Sequence, residues 1–315
     1  MSLYPPPPFT LREAAARRAL WRYWGRDPLR GLKDAVMHAL LRPLPTEAVS
    51  AFGGRLGRRH GAGRPETSAT IRAFLARLRP AATPAEVAAL EDGLWEHVGR
   101  VVAEFVVLDR LWSEGRIEVE GAARIEAARA SGRPLMFAGL HVGNWEAMHA
   151  GITGLGVELA GIYQLLPSRF EMAMANRARR RTPIRLLDPV PASALEARRL
   201  LARRESAVLM YVDEYVRRRV QAPSLGRAPR AVGNIHRLVR LAALTGAAVL
   251  PVHALRVGRA ARFRLVVGPA LDLRRAPRDV AALAADQAVL DAAAEAVVRA
   301  HPEQWLMATS FRWDR

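Results

Sequence analysis

Residues 135–152 read LMFAGLHVGNWEAMHAGI. The opening run is apolar and the closing residues recur at helical spacing, which predicts a buried strand ending at His141, a turn, and a helix from about Trp145. Gly143 suits a tight turn and lets backbone come close to a ligand. Asn144 is a natural N-cap, and Glu146 falls in the first helical turn. His141 and Glu146 are five positions apart, and on one continuous helix such residues point in different directions. Across a strand, a turn and a helix start their side chains can converge. A carboxylate bonded to one imidazole nitrogen fixes the tautomer and leaves the other nitrogen to take a proton. The competing reading is a strand end followed by a helix whose N-terminus favours an acid. Spacing alone does not choose between them.

Outward from this stretch, strand and helix patterns alternate. IEVE (117–120) precedes a helical GAARIEAARASG; after the HVGNWE helix come ELAGIYQLL as a strand, the basic helix FEMAMANRARRR, and IRLLD as a strand. ASALEARRLLARRE is helical, SAVLMYVD a buried strand, and AVGNIHRLVRLAALTG a helix ending at Gly246. AAVLPVHALRV and ARFRLVVG read as strands that could pair, and APRDVAALAADQAVLDAAAEAVVRAHPEQW reads as a long closing helix. Such alternation implies an α/β fold with a largely parallel central sheet flanked by helices. In ligand-binding sheets of this kind the crevice lies beyond the carboxyl ends of the strands, where His141 falls.

The first third is different. It is mostly helical, with Thr83-Pro84-Ala85-Glu86 as a well-formed helix start, and GRLGRRHGAGRPET (54–67) reads as a basic, glycine-rich loop. This divides the chain into a helical, basic N-terminal region (1–115), membrane-facing or packed on the remainder, and an α/β domain (116–315), the two forming one compact unit.

Of the 315 residues, 48 are basic and 30 acidic, a net charge of +18. Nucleic acid, an anionic lipid surface, and a bias toward Ala and Arg all accommodate this excess. With no cysteine, disulfides, thiolate metal sites and cysteine nucleophiles are excluded. Lone histidines such as His149, His236 and His253 lack metal-ligand spacing, and neither a dinucleotide fingerprint nor a P-loop is present. No stretch is long and apolar enough for a transmembrane helix, and the N-terminus has no signal-peptide h-region, so a peripheral protein on the cytoplasmic side is expected. PPPP (5–8) predicts an extended leader. Leu20, Trp21, Tyr23 and Trp24 among Arg17, Arg18, Arg22 and Arg26 fit either an interfacial amphipathic helix or one packed on the main domain.

The string GLHVGNWE resembles the H-x4-E signature of the lysophospholipid acyltransferase superfamily, above all its lipid A acyltransferase branch. MYVDE (210–214) followed by a basic loop and APSLG, LVRLAALTGAAVLPV (238–252), and HPEQWL (301–306) are similar to further blocks of that branch in the same order. The resemblance spans roughly residues 30–312. It implies acyl transfer from an acyl thioester, on acyl carrier protein or coenzyme A, to a hydroxyl of a lipid A-precursor-like membrane glycolipid at the inner membrane. No cofactor, no metal and no covalent acyl-enzyme are implied, and nucleic acid is not a partner. His141 would be the general base with Glu146 orienting it. Gly143, Asn144, Arg169, Asp213, Arg217 and Arg218 would contact substrate, with oxyanion support from an Arg or from backbone N–H groups near Gly143. Where the branch has Tyr-Arg-Pro this chain has Tyr163-Gln164-Leu165, so the role of that arginine would pass to Arg169, Arg177 or a neighbour. The alternatives are another acceptor, such as a phosphatidylinositol mannoside or other glycolipid, or a non-catalytic basic binding protein.

Overall fold

Side chains on a strand alternate between faces, and residues 135–142 supply two separate cores by that rule. Met136, Ala138, Leu140 and Val142 enter one buried cluster; Leu135 and Phe137 enter another on the opposite face. His141 has the parity of the second face. The computed structural model describes residues 14–163, 169–188 and 190–313. The PPPP leader and the Gln164-Leu165 pair fall outside the described residues.

In chain order, helix α1 (Ala14–Trp21) continues through a π-helical stretch (Arg22–Arg26) into α2 (Asp27–Leu41), followed by α3 (Thr46–Ala62), α4 (Pro65–Leu78), α5 (Pro84–Glu104) and the short α6 (Arg110–Ser113). The α/β part comprises β1 (Ile117–Glu120), α7 (Ala122–Ala130), β2 (Leu135–Gly143), α8 (Trp145–Gly154), β3 (Leu159–Ile162), α9 (Arg169–Arg179), β4 (Ile184–Leu187), α10 (Pro191–Arg203) and β5 (Ala207–Tyr211). A two-stranded hairpin, β6 (Tyr215–Val216) and β7 (Arg219–Val220), precedes α11 (Gly233–Thr245), β8 (Ala248–Arg256), β9 (Phe263–Val267) and α12 (Val280–Ala300).

The seven-stranded sheet runs β1-β9-β8-β2-β5-β3-β4. Every pair in it is parallel except β8–β9, which is antiparallel, so the largely parallel α/β class is the observed one. Strand β2 is central, between β8 and β5. Its register with β5 pairs Gly139 with Tyr211. Two residues further along each strand, His141 and Asp213 therefore come level at the carboxyl edge.

The helical N-terminal region shares a core with the sheet: Ile71, Phe74, Leu75, Leu94 and Trp95 join the cluster that contains Met136, Leu140 and Val142. Helix α5 starts as its sequence predicts, with a full capping box between Thr83 and Glu86. One expectation is corrected here. Residues 54–62 are not a loop but the second half of α3. Gly57 and Gly99 bring α3 and α5 together at a separation that no larger residue permits: a Cβ on Gly57 would meet the Trp95 carbonyl oxygen at 2.2 Å, and one on Gly99 would meet the Gly53 carbonyl oxygen at 2.3 Å. Close helix–helix contact outweighs the poor helix propensity of glycine.

Candidate active site

The end of β2 and the turn into α8 are built by three successive residues. Val142 pairs with Trp305 in an isolated antiparallel bridge. Gly143 has φ +63°, and a Cβ there would lie 1.8 Å from the Ala254 carbonyl oxygen, so the close approach of β2 to β8 requires a glycine here. Asn144 caps α8 as its sequence position predicts, its Oδ1 accepting from the Glu146 and Ala147 backbone N–H groups at 3.1 Å each. Its amide also donates to Glu104 Oε2 at 2.7 Å. The Asn144 side chain is buried and engaged at both ends within the protein.

His141 projects from β2 on the side of α8. Its ring stacks on Tyr211, with centroids 4.3 Å apart, and meets the edge of Trp145 at 5.5 Å. The carboxylate on its Nδ1 is Asp213, not Glu146: His141 Nδ1 lies 2.8 Å from Asp213 Oδ1, and the His141 backbone N–H donates to Asp213 Oδ2, also at 2.8 Å. Trp305 Nε1–H donates to the same Oδ2 at 2.8 Å. Asp213 is fully buried. A carboxylate so held keeps the proton of a neutral imidazole on Nδ1, which leaves Nε2 as the basic nitrogen. Among the described residues Nε2 has no hydrogen-bond partner, and the ring remains partly exposed.

Glu146 has a different neighbourhood. Arg179, from α9, grips it with Nε at 3.1 Å and Nη2 at 2.6 Å, and His149 Nδ1 lies 3.3 Å away. Burial would raise the Glu146 carboxyl, but the Arg179 charge and the contacts from His149 and Arg179 outweigh it and hold the group well below the usual carboxylate range. Glu146 is therefore a fixed anion. Tyr211 Oη–H donates to the Trp145 carbonyl at 2.8 Å and lies 3.1 Å from His149 Nε2. Burial, then the Glu146 charge, push this phenol well above its ordinary range, so it stays protonated. Arg179 Nη1 is buried with no hydrogen-bond partner among the described residues, as is Asn176 Oδ1 on the same helix. Tyr163 donates to Asp188 at 2.6 Å; burial and that contact raise its hydroxyl to about 12.

The expected convergence of His141 and Glu146 is thus replaced by two adjoining pairs, His141–Asp213 and Glu146–Arg179. Of the remaining sequence candidates, Arg169 lies elsewhere: its guanidinium sits 3.6 Å from the Tyr23 ring centroid and donates to the Tyr23 carbonyl at 3.2 Å. Arg217 and Arg218, at φ +50° and +61°, form the exposed tip of the β6–β7 hairpin just after Asp213. Sequence reasoning missed Arg179, Tyr211 and Trp305 as site residues. Trp305 stood in the HPEQWL block, which was a usable signal; nothing in the run Arg177–Arg181 marks which arginine turns inward.

Beneath the turn lies a second polar layer. Glu104 accepts from Arg256 Nη1 and Nη2 (2.8 and 2.7 Å), from Ser50 Oγ (2.6 Å) and from Asn144. His97 Nε2–H donates to the Gly143 carbonyl at 3.0 Å, and its Nδ1 accepts from Arg256 Nε at 3.4 Å. Burial, then the Arg256 charge, lower His97 to about 3, so it is neutral. Gln304 brackets the Arg256 backbone, accepting from its N–H at 2.9 Å and donating to its carbonyl at 3.2 Å. Among the described residues, no group of three or more His, Asp or Glu side chains is arranged to hold a metal ion.

Fold and site together define an α/β protein with a histidine able to accept a proton at the carboxyl edge of a largely parallel sheet. The chain belongs to the family described as bacterial lipid A biosynthesis acyltransferase, whose model matches residues 32–313. It is accordingly an acyltransferase of the lipid A type, using an acyl donor and a lipid acceptor. No curated protein matches the chain at a significant level.

Proposed function

We propose that this acyltransferase moves a fatty acyl group from an acyl thioester, on acyl carrier protein or coenzyme A, to a hydroxyl of a lipid A-precursor-like glycolipid at the cytoplasmic face of the inner membrane. The observation that carries the mechanism is the buried Asp213 carboxylate on His141 Nδ1, with Nε2 unpartnered among the described residues. Nε2 takes the proton of the acceptor hydroxyl as its oxygen attacks the thioester carbonyl. The tetrahedral intermediate collapses, the C–S bond breaks, and the imidazolium returns the proton to the leaving thiolate. Asp213 orients the ring and stabilises the imidazolium; it does not itself become protonated. Arg179, fixed by Glu146, offers Nη1, which has no partner among the described residues, to the substrate oxygen on which negative charge develops. Glu146 acts through Arg179 and not through His141. Arg217 and Arg218, exposed beside the site, meet the anionic part of the donor or of the acceptor. The peripheral placement accords with the absence, among the described residues, of any helix long and apolar enough to cross a membrane.

The test is acyl transfer by purified protein from radiolabelled acyl carrier protein or acyl-coenzyme A to a tetra-acylated disaccharide acceptor. His141→Ala should abolish product while the protein keeps its circular dichroism spectrum and cooperative melt. Wild-type turnover in a folded His141→Ala variant would remove His141 from the mechanism. Transfer to neither the disaccharide nor any membrane extract would refute the acceptor class.

A further inference from the structure

Helix α2 is amphipathic in the reverse sense. On a helical wheel of 3.6 residues per turn, Gly31, His38 and Leu41 share the side that meets the protein. Gly31 is buried so closely on Phe170 of α9 that a Cβ would come within 2.4 Å of its ring, and Leu41 joins a buried cluster with Val49, Val106 and Val107. On the opposite side Leu29, Leu32, Val36 and Leu40 fall within an arc of about 80°. These four are 65%, 63%, 50% and 63% exposed. A surface helix of a water-soluble protein turns its apolar stripe inward; this helix turns one outward. Trp21 and Trp24, in the turns just upstream, are also exposed. Arg26, Arg30 and Lys33, at i, i+4 and i+7, line one border of the stripe. Among the described residues Arg30 and Lys33 have no carboxylate partner.

We propose that this face is a docking surface for an anionic lipid bilayer, with α2 lying in the plane of the interface. An apolar stripe bordered by long cations seats its side chains among acyl chains while the cations reach lipid phosphates. A second copy of the chain is a poorer occupant, because symmetric pairing would bring Arg26, Arg30 and Lys33 against their own likeness in a molecule already carrying +18. The inference rests on the lipid-acceptor reading and deepens it. Helix α2 packs on α9, and α9 carries Arg179 to Glu146. Docking through α2 would therefore set the candidate active site beside the surface from which a lipid acceptor is drawn.

The experiment is flotation of the full chain with vesicles of phosphatidylglycerol and phosphatidylcholine, against phosphatidylcholine alone, at low and high salt. The wild type should float with the anionic vesicles and less so in high salt. Leu32→Glu/Val36→Glu should lower partitioning by at least about tenfold. Leu195→Glu/Val280→Glu, the same charge change at residues 69% and 81% exposed on other helices, should leave it intact. Arg30→Glu/Lys33→Glu should remove the preference for anionic vesicles. The proposal is overturned if Leu32→Glu/Val36→Glu floats as well as wild type, or if that variant only converts a wild-type dimer to monomer with vesicle binding unchanged. On an acceptor dispersed in detergent, Leu32→Glu/Val36→Glu should keep full turnover. A turnover indifferent to His141→Ala would count against the catalytic reading and leave the flotation result to decide docking.

Discussion

Asp213 and Glu146 are both buried carboxylates close to a histidine, and their partners give them different work. Asp213 spends one oxygen on the His141 ring and the other on the His141 backbone and the Trp305 indole. Asp213→Asn keeps the shape but offers an amide N–H or a neutral carbonyl to Nδ1, and it no longer stabilises the imidazolium. The expected result is a fall in kcat of about 10²–10⁴-fold with KM for the acyl thioester little changed, read in steady-state assays. An equal loss in kcat and gain in KM would mean that Asp213 mainly shapes the binding surface. Glu146→Ala removes the partner of a buried guanidinium, and stability should drop by about 3–5 kcal/mol, measured as the urea midpoint. Because Arg179 is then no longer fixed, turnover should fall as well. Glu146→Gln still offers an oxygen to Arg179 but leaves its charge unbalanced, so it should recover only part of both the stability and the turnover. The residue-scale chemistry was only partly legible in the sequence. His141 and Glu146 stood out because they flank a strand-to-helix turn. The partner of His141 could not be assigned, because that depends on which strand lies beside β2, and parallel neighbours are far apart in sequence. Asp213 ended a strand and stood in the MYVDE block, and was a candidate for those reasons; Arg179 is one of several arginines on a basic helix and carries no local mark.

Elements were legible where a single period governed them. The central strands, the α5 capping box and the α8 cap followed from alternation and capping residues. Helix α3 did not, because a glycine-rich basic string looks the same whether it is a loop or the close-packed face of a helix; only α5, with Gly99 opposite, distinguishes them. Two substitutions separate the propensity of glycine from its packing. Gly57→Val would drive a branched side chain into the Trp95 carbonyl and Gly99, and it should cost about 1–3 kcal/mol or more. At Gly93, within α5, a Cβ meets nothing within 4 Å, so Gly93→Ala should stabilise by about 0.5–1 kcal/mol. Chemical denaturation of both variants checks the pair, and a Gly57→Val protein as stable as wild type would contradict the close α3–α5 contact. The same reasoning applies to the layer under the turn. Arg256→Met would leave Glu104 buried with only Ser50 and Asn144 as donors. A loss of about 3–5 kcal/mol is expected, together with lower turnover, since Asn144 and the Gly143 carbonyl share that network.

At the scale of the whole molecule, the buried titratable groups set a one-sided response to acid. His97 is lowered to about 3 and His253 to about 4, in both cases chiefly by burial. The unfolded chain binds protons at these histidines from about pH 6.5 downward, whereas the folded protein does not until its own lower values are reached. Between those limits the unfolded state holds more protons, so stability rises with pH and is lost on acidification, at up to about 1.4 kcal/mol per pH unit for each histidine. The carboxylates act in the next window down. Glu96 is raised by burial, but contacts from Arg259 and Arg100 outweigh this and lower it to about 2, and Glu146 is depressed as well. Their stabilisation is present above about pH 4.5 and is lost as pH falls through the folded values. As carboxylates protonate, a molecule already at +18 also gains repulsion. Urea midpoints should therefore decline between pH 7 and pH 5, before Glu96 and Glu146 titrate, and then fall more steeply. His97→Gln replaces the buried imidazole by a neutral group that can still donate to Gly143 and accept from Arg256. It should be less stable than wild type at pH 7, yet its slope between pH 6 and 5 should be shallower by close to one proton. A slope equal to the wild-type slope would show that His97 takes up a proton in the folded state. The turn beneath His141 would then have to tolerate a charged ring beside Arg256, contrary to the buried, neutral support that its geometry requires.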